Sequence, residues 1–461
     1  MSDSPASQTS LTEQLSRHLV RPVDAAARSR ARRAVLDWAG CAVIGAATET
    51  GRAFARLAAD GMAGAELPAG GRGASRVLGA GRAPARDAAF TNGAYGNIYE
   101  MDDVDRQAVL HPGPVVIPAA LAMAEALGSG PDALLDAVVR GYEAMVRLGR
   151  AMGPAHYRHF HPTATCGAFG AAAAAASLMG LDQAPLTGAL GTAATRAAGL
   201  WQCRHEPVTT KQFHTARAAA GGVEAAQLAA AGLGGPRFIL EGPQGLFAGM
   251  APDARPAEIT APHDGAWLIL GTSIKPWPAC RHAHAAIDAA LILRAEAQGR
   301  MPAAIEVRSF ADALTFCDRP DPASTIQAKF SLQHAVAVTL LGGPPPLAAF
   351  EPEVIADPAV AGLRARVRLV VAEPYAGAYP RRFGTGLTIT WDDGTTSRAE
   401  VPDALGDPEN PVDHAAVVTK TRTLAAAAGL DEQHIGALIQ AIEALEGSDP
   451  ARIAAFTAIL P

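Results

Sequence analysis

DALLDAVVRGYEAMVRLGR, the sequence of residues 132–150, is the clearest helix pattern in the chain. Its apolar residues recur at spacings of three and four, as they do in a helix that buries one face. Ser129 is a candidate N-cap, and Gly149 and Gly153 are candidate helix ends. The predicted buried stripe comprises Leu134, Leu135, Val138, Val139, Tyr142, Met145, Val146 and Leu148.

The same spacing extends outward from this stretch through the first half of the chain. Alanine dominates these segments, so the helices can pack closely. This half is therefore predicted to be all-helical. The predicted helices cover 25–50, 84–96, 118–153, 164–181, 215–232 and 283–298.

The pattern changes after about residue 300, where apolar and charged residues alternate as in half-buried strands. Asp392-Asp393-Gly394 contains an Asp-Gly pair, which is typical of a two-residue hairpin turn. The predicted strands are 304–308, 364–371, 386–391 and 395–401. Further helices are predicted over 331–341, over 357–363 and beyond 413.

These patterns predict a mainly α fold with two domains. A large all-helical domain, formed by both chain ends, is expected over 1–269 and 405–461. A smaller α+β domain is expected over 270–404.

The composition excludes several classes of function. Hydrophobic residues make up 49% of the 461 residues, which is enough for a sizeable buried core. The formal net charge of −6 provides no basic surface for nucleic acid or an anionic membrane. We recognise no secretory signal and no membrane span, and the five cysteines form no C-x-x-C pair. We therefore expect a cytoplasmic protein with free thiols.

Lysine is scarce: only Lys211, Lys275, Lys329 and Lys420 occur among the 39 basic residues. Arginine can replace lysine on a solvated surface but not where a compact ammonium is required. The remaining lysines are thus candidates for chemistry. Lys420 lies outside the polar clusters described next, and we expect it to tolerate arginine.

The first polar cluster places four acidic residues close before a histidine. Glu100, Asp102, Asp103 and Asp105 precede His111. A carboxylate beside a histidine fixes the tautomer of the ring and allows proton transfer near neutral pH. Two alternatives are a solvated acidic loop that caps the next helix and a divalent metal site built from the acids.

Cations precede two predicted small-residue helices. His161 and Thr163 lie just before the helix predicted at 164–181, and Lys211 and His214 lie just before the helix predicted at 215–232. A helix N-terminus attracts anions. Alternatively, Thr163 is a plain helix cap, or the histidines at 156, 159 and 161 bind a metal.

A further cluster, at 275–284, lies at the predicted domain boundary. It carries Lys275, Arg281 and His284. Domain junctions are common ligand sites. Any one of these cations is more often structural than catalytic, but all the clusters together would suit a substrate with two or three carboxylates that must lose a proton.

Short motifs extend from one end of the chain to the other. They are Asp37-Trp38-Ala39-Gly40, Asn92-Gly93, Asp102-Asp103, His111-Pro112, Gly141-Tyr142-Glu143, His161-Pro162-Thr163, Lys211 to Gly221, Leu240-Glu241-Gly242 with Gly245, Lys275 to His284, and Ala328-Lys329-Phe330-Ser331. This set resembles the MmgE/PrpD family, which includes 2-methylcitrate dehydratase, cis-aconitate decarboxylase and iminodisuccinate epimerase.

The resemblance implies that the α+β domain is a lid, that the protein is a homodimer, and that a site without metal or cofactor lies between the domains. The implied catalytic residues are Asp102, Asp103, His111, His161, Lys211 and Lys275. The expected substrate-binding residues are Glu100, Thr163, His214, Arg281, His284 and His334.

The expected function is removal of a proton next to a carboxylate of a small di- or tricarboxylate, with dehydration of the 2-methylcitrate type as the first choice. Glu100, Asp105 and His334 depart from the family pattern, which favours an epimerase of a substituted succinate as the alternative. Decarboxylation of cis-aconitate is the third choice. Outside enzymes, the alternative is a non-catalytic carboxylate-binding protein.

Overall fold

The computed structural model describes residues 8–62, 74–206 and 208–461. Within these residues the chain is mainly helical, as predicted. It divides into two compact units, one formed by 1–272 with 414–461 and the other by 273–413. The sequence patterns placed the corresponding boundaries after 269 and after 404.

The first segment of the larger unit contains ten α-helices within the described residues. They are α1 (Leu11–Leu19), α2 (Ala25–Ala47), α3 (Glu49–Met62), α4 (Ala85–Tyr95), α5 (Gly113–Leu127), α6 (Pro131–Tyr157), α7 (Pro162–Leu178), α8 (Gln183–Ala194), α9 (Lys211–Ala230) and α10 (Leu246–Met250). Short 3₁₀ helices cover Trp201–His205, Pro256–Ile259, His263–Gly265 and Leu268–Gly271.

The larger unit is not all-helical, contrary to prediction. Strands β1 (Ala74–Val77) and β2 (Gly81–Pro84) form an antiparallel hairpin. Each strand has only four residues, too few for an alternating pattern to be recognised. Gly79 and Gly81 have φ angles of 72° and 90°, which glycine adopts without strain, and they allow the chain to turn.

Helix α6 differs from the sequence-based expectation at its N-cap and at Gly149, whereas a break at Gly153 was expected. Its N-cap is Gly130, not Ser129, and Pro131 occupies the first turn, where the missing N–H costs nothing. The helix continues past Gly149 and breaks at Gly153, which has a φ of 75°. A Cβ atom at Gly149 would lie 2.3 Å from Leu110 Cδ2, so this glycine allows close packing of the segment before α5.

Helix α7 lies at the centre of the larger unit, and its residues 162–176 are all buried. Glycines permit its close approach to its neighbours. A Cβ at Gly170 would lie 2.9 Å from the Gly141 oxygen in α6, and one at Gly222 in α9 would lie 2.4 Å from Ala171 Cβ. The N-termini of α7 and α9 carry His161 and Lys211, and this packing fixes both helices.

The smaller unit contains a four-stranded sheet in the order β4-β3-β5-β6. Strands β3 and β4 are parallel, and the other pairs are antiparallel. The hairpin predicted at Asp392-Asp393-Gly394 is confirmed, with Gly394 at a φ of 80°. Its loop has three residues, not the predicted two, because the Trp391 amide donates a 2.8 Å hydrogen bond to the Thr395 carbonyl. The strands are β3 (Pro302–Ser309), β4 (Val367–Val371), β5 (Thr385–Trp391) and β6 (Thr396–Val401).

Seven α-helices accompany this sheet, of which α11 packs against β5, β6 and α14. A 3₁₀ helix precedes α11 at Arg281–Ala283, and another covers Leu347–Phe350. The α-helices are α11 (His284–Ala295), α12 (Ala311–Cys317), α13 (Thr325–Lys329), α14 (Leu332–Gly342), α15 (Pro352–Ile355), α16 (Pro358–Arg364) and α17 (Tyr375–Ala378).

The C-terminal segment returns to the larger unit as α18 (His414–Ala427), α19 (Glu432–Glu443) and α20 (Ala451–Ile459). Helix α18 packs against α2. The Thr421 hydroxyl donates a 3.0 Å hydrogen bond to the Leu36 carbonyl. A Cβ at Gly40 would lie 3.0 Å from the Cα of Thr421, so a glycine here brings the two helices close together.

Candidate active site

The acidic segment between α4 and α5 is buried, which excludes the interpretation of a solvated loop. Glu100, Asp102, Asp103 and Asp105 each expose 3% or less of their surface. Glu100 also has a φ of 60°, a left-handed conformation that is uncommon for a residue with a side chain. Buried carboxylates need partners, and each of the four has a specific one.

Asp103 fixes the start of α5. One of its carboxylate oxygens accepts a 2.8 Å hydrogen bond from the Gly113 amide, and the other accepts a 2.7 Å bond from the Tyr142 hydroxyl. Burial raises the pKa of the Asp103 carboxyl to about 7. Asp105 is similarly occupied, since it forms a 2.7 Å ion pair with Arg150.

His111 is held by Asp102 and by the backbone of Asp103. Its Nδ1 lies 2.7 Å from the Asp103 carbonyl oxygen and 3.1 Å from Asp102 Oδ2. Both neighbours are acceptors, so Nδ1 carries the proton and Nε2 is the basic nitrogen of the neutral ring. Asn97 Nδ2 donates a 2.6 Å bond to the same Asp102 oxygen and fixes the carboxylate.

Thr163 connects His111 to α7. Its hydroxyl oxygen accepts a 3.1 Å hydrogen bond from the His111 backbone amide. The N-cap of α7 is His161, and no side-chain capping bond is made there. Thr163 therefore positions the His111 backbone and is not the cap of this helix.

His161 and His214 form a pair of facing imidazoles. Their Nδ1 atoms are 3.1 Å apart, and the Trp201 ring lies 4.3 Å from the His161 ring. Burial lowers the pKa of His161 well below its usual range, with the positive charge of Lys211 as the next cause. The same two causes lower the pKa of His214 to about 4. Both rings are thus neutral at pH 7, and one Nδ1–H donates to the other Nδ1.

Lys211 pairs with Glu100. Its ammonium lies 2.5 Å from Glu100 Oε1, and both side chains are largely buried. The charge of Lys211 acts on both His161 and His214, and that of His111 also acts on His161. The structure therefore brings together the predicted residues of the larger unit around the N-termini of α7 and α9.

Three of the predicted residues of the smaller unit, Arg281, His284 and His334, have polar partners within that unit. Arg281 forms a buried ion pair with Asp407 and lies 3.1 Å from His284 Nδ1, while His284 Nε2 lies 3.1 Å from the Ala279 oxygen. His334 is fully buried, with Nε2 2.8 Å from the Ala349 oxygen. Lys275 is fully buried as well.

All four lysines lie in the described part of the chain, and none of them is exposed. Lys420 corrects an expectation. Its ammonium lies 2.6 Å from Asp37 Oδ1 and 2.5 Å from the Met101 carbonyl oxygen, and both Lys420 and Asp37 are buried. Lys420 is therefore not the solvated residue that would tolerate arginine.

Several residues of this region were missed by the sequence analysis as members of the site. Asn97, Tyr142 and Trp201 contact the predicted residues directly. Tyr142 was assigned to the apolar stripe of α6, because helical spacing does not show whether a hydroxyl has a partner. No spacing pattern distinguishes Asn97 or Trp201.

The described residues contain neither a candidate metal site nor a helix that could span a membrane. No three or more His, Cys, Asp or Glu side chains are grouped so that they could hold a metal ion. No described helix combines the length and apolar character needed to cross a bilayer.

Family models and known proteins match this chain over most of its length. The family model of the MmgE/PrpD N-terminal domain matches residues 9–259, and that of the C-terminal domain matches 277–444. Cis-aconitate decarboxylase of Mus musculus is 28% identical over 436 residues, covering 90% of this chain and 86% of the mouse protein.

Two further similar proteins carry the same name. Cis-aconitate decarboxylase of Aspergillus terreus is 27% identical over 429 residues, covering 86% of this chain and 84% of the fungal protein. The Homo sapiens protein is 29% identical over 332 residues, covering 68% of this chain and 67% of the human protein.

Proposed function

Because the chain belongs to the MmgE/PrpD family, we propose that it is a lyase that acts on a small di- or tricarboxylate. The similar cis-aconitate decarboxylases support a carboxylate-acting enzyme. The observation that carries the proposal is the placement of His111. Two acceptors fix the proton on its Nδ1, beside a cluster that contains Lys211, His161 and His214.

In this proposal His111 Nε2 exchanges a proton with a carbon of the substrate. Asp102 stabilises the imidazolium that forms when Nε2 takes up the proton, because the carboxylate lies 3.1 Å from Nδ1. His161 and His214 remain neutral and donate or accept hydrogen bonds without adding charge. Lys211 attracts a substrate carboxylate, while Glu100 keeps the buried ammonium paired when the substrate is absent.

Two lyase reactions fit this arrangement, and the similar proteins favour decarboxylation of cis-aconitate. There a C–C bond breaks to release CO₂, and the electron pair passes to a carbanion stabilised by a neighbouring carboxylate. His111, protonated on Nε2 from solvent before this step, then donates that proton to the carbon and returns to the neutral ring. Dehydration of methylcitrate, the first choice from the sequence, instead removes a proton from carbon and expels hydroxide, which leaves as water after protonation. The two reactions share the need for a positioned acid–base group.

The test is to incubate the purified protein with cis-aconitate, methylcitrate, citrate and iminodisuccinate in deuterium oxide and to follow the products by NMR. Decarboxylation is expected to release CO₂ and to place one deuteron on carbon. The His111→Ala variant is expected to lose about 10²- to 10⁴-fold in turnover. His159→Ala is the control, because His159 is exposed and close in sequence to the site.

Unchanged substrates, with no deuterium incorporated from the solvent, would contradict the proposed function. Release of water instead of CO₂ would identify dehydration. Epimerisation of iminodisuccinate with exchange of the carbon-bound proton would contradict a lyase.

A further inference from the structure

The buried ammonium of Lys420 lies behind the acidic segment of the site. Lys420 belongs to α18 and Asp37 to α2, so their 2.6 Å ion pair joins the C-terminal segment to the second helix of the chain. Burial is the largest single influence and by itself would lower the pKa of Lys420, but the charge of Asp37, the hydrogen bond to Asp37 and the charge of Asp102 act together with other neighbours to raise this pKa. Lys420 is thus a charged group in the interior of the larger unit.

The second bond of this ammonium reaches the site. Lys420 Nζ donates a 2.5 Å hydrogen bond to the carbonyl oxygen of Met101. Met101 lies between Glu100, which pairs with Lys211, and Asp102, which contacts His111. A single ammonium therefore restrains the peptide group between Met101 and Asp102, close to two side chains of the site.

The backbone at this point needs a restraint. Glu100 has a φ of 60°, a left-handed conformation that is strained for a residue with a side chain and persists only where its surroundings enforce it. A charge-assisted hydrogen bond to the adjacent carbonyl is a strong local restraint. If this bond is lost, the Met101–Asp102 peptide can rotate, and the carboxylate of Asp102 moves relative to His111.

We propose that Lys420 is a positioning residue, which holds the segment from Glu100 to Asp102 so that Asp102 orients His111 and Glu100 meets Lys211. The kinetic part of this proposal rests on the proposed function, whereas the geometric part does not. The competing explanation is that Lys420 and Asp37 merely attach α18 to α2. That role would affect stability but not the state of the His111 ring.

The test compares Lys420→Met with Thr421→Val. Methionine keeps the length of the side chain but removes the ammonium. Thr421 is the next residue of α18, is buried and bonds to Leu36 of α2, so its variant weakens the same helix contact without touching the acidic segment. Melting temperatures show how much stability each variant loses.

The first readout is the ¹⁵N NMR spectrum of the histidine rings, with the His111 signals assigned by their loss in His111→Gln. Wild type and Thr421→Val are expected to show His111 protonated on Nδ1. Lys420→Met is expected to show a mixture of tautomers, because Asp102 no longer holds the ring. His111 signals in Lys420→Met that match those of Thr421→Val would overturn the proposal, and this measurement needs no substrate.

The second readout is a double-mutant cycle at a temperature well below unfolding. Lys420→Met is expected to lower kcat at least about tenfold in wild type but by a clearly smaller factor in Asp102→Asn, because each change removes the Asp102 charge from its place beside the His111 ring. Equal losses in both backgrounds would overturn the proposal. If no substrate reacts with wild type, the proposed function fails while the NMR result still decides the role of Lys420.

A milder variant covers the case in which Lys420→Met does not fold. Lys420→Arg keeps a positive charge opposite Asp37, but the guanidinium is larger than an ammonium and directs its N–H groups within one plane, which changes the hydrogen bond to the Met101 carbonyl. It is expected to shift the His111 signals in the same direction. Wild-type signals together with wild-type kcat in Lys420→Arg would overturn the proposal.

Discussion

Substitution of Asp102 by asparagine removes a charge from the site with little change in shape. Asp102 Oδ2 accepts hydrogen bonds from Asn97 Nδ2 at 2.6 Å and lies 3.1 Å from His111 Nδ1. An amide oxygen can replace Oδ2 and accept both bonds. With this oxygen in place beside the Asp103 carbonyl, Nδ1 keeps both of its acceptors, so the tautomer of His111 is expected to persist.

The structure gives the size of the effect. A unit charge 3.1 Å from an imidazolium contributes about 5 kcal/mol at an effective dielectric constant of about 20. If the ring carries roughly half a charge in the transition state, the loss is about 2.7 kcal/mol, which corresponds to about 100-fold in kcat.

The assay is steady-state kinetics across pH on the substrate that the NMR panel identifies. Melting temperatures measured in parallel verify that Asp102→Asn is folded. A kcat within about threefold of wild type would refute the assignment of Asp102 as the partner of a proton-transferring His111.

Four other predictions concern neighbouring groups and the cofactor requirement. Asp103→Asn is expected to lose about 1–3 kcal/mol of stability, because an amide NH₂ must face either the Gly113 amide or the Tyr142 hydroxyl. Its kcat is expected to stay within about twofold of wild type. A large loss of kcat at an unchanged melting temperature would contradict this prediction. Lys211→Arg is expected to lower kcat/KM at least about tenfold, or about 1.4 kcal/mol. The control Arg86→Lys, at an exposed position, is expected to leave kcat/KM unchanged. Equal effects of the two variants on kcat/KM would mean that the lysine at 211 has no special role. The pKa of His214 is about 4 in the folded protein against about 6.5 unfolded, so it contributes up to about 3 kcal/mol that is present above pH 6.5 and lost as the pH falls toward 4. The stability gap between wild type and His214→Gln should therefore narrow over that range in denaturant titrations, and a constant gap would be inconsistent with a buried neutral ring. Activity is expected to survive prolonged chelation, and metal analysis that finds stoichiometric metal lost together with activity would disprove this.

Helical periodicity predicted much of the fold, because most helices of the larger unit bury a stripe or a whole surface. It failed where a local pattern was too short or had two meanings. The hairpin at 74–84 has two four-residue strands, and Gly149 serves close packing where the sequence suggested a helix end. Neither outcome can be derived without knowing which segment packs opposite.

The residues of the candidate site were likewise predicted from the sequence only in part. Clusters of polar residues in an alanine-rich chain pointed to His111, His161 and Lys211, which the structure places in one neighbourhood. Spacing could not separate Asp102 from Asp103, because adjacent side chains point in different directions and only the fold assigns one to the His111 ring and the other to the start of α5. Lys420 was misjudged because its partners lie 383 and 319 residues away.

The low exposure of all four lysines limits how the protein reacts with amine-directed reagents. Lys275, Lys329 and Lys420 are buried, and Lys211 exposes 14% of its side chain. Acylating and cross-linking reagents that form amides therefore find, apart from the α-amino group, Lys211 as the most accessible amine on the native protein. If Lys211 binds a substrate carboxylate as proposed, the rate of acylation at that residue, read from the mass of its tryptic peptide, is expected to fall when the substrate is bound.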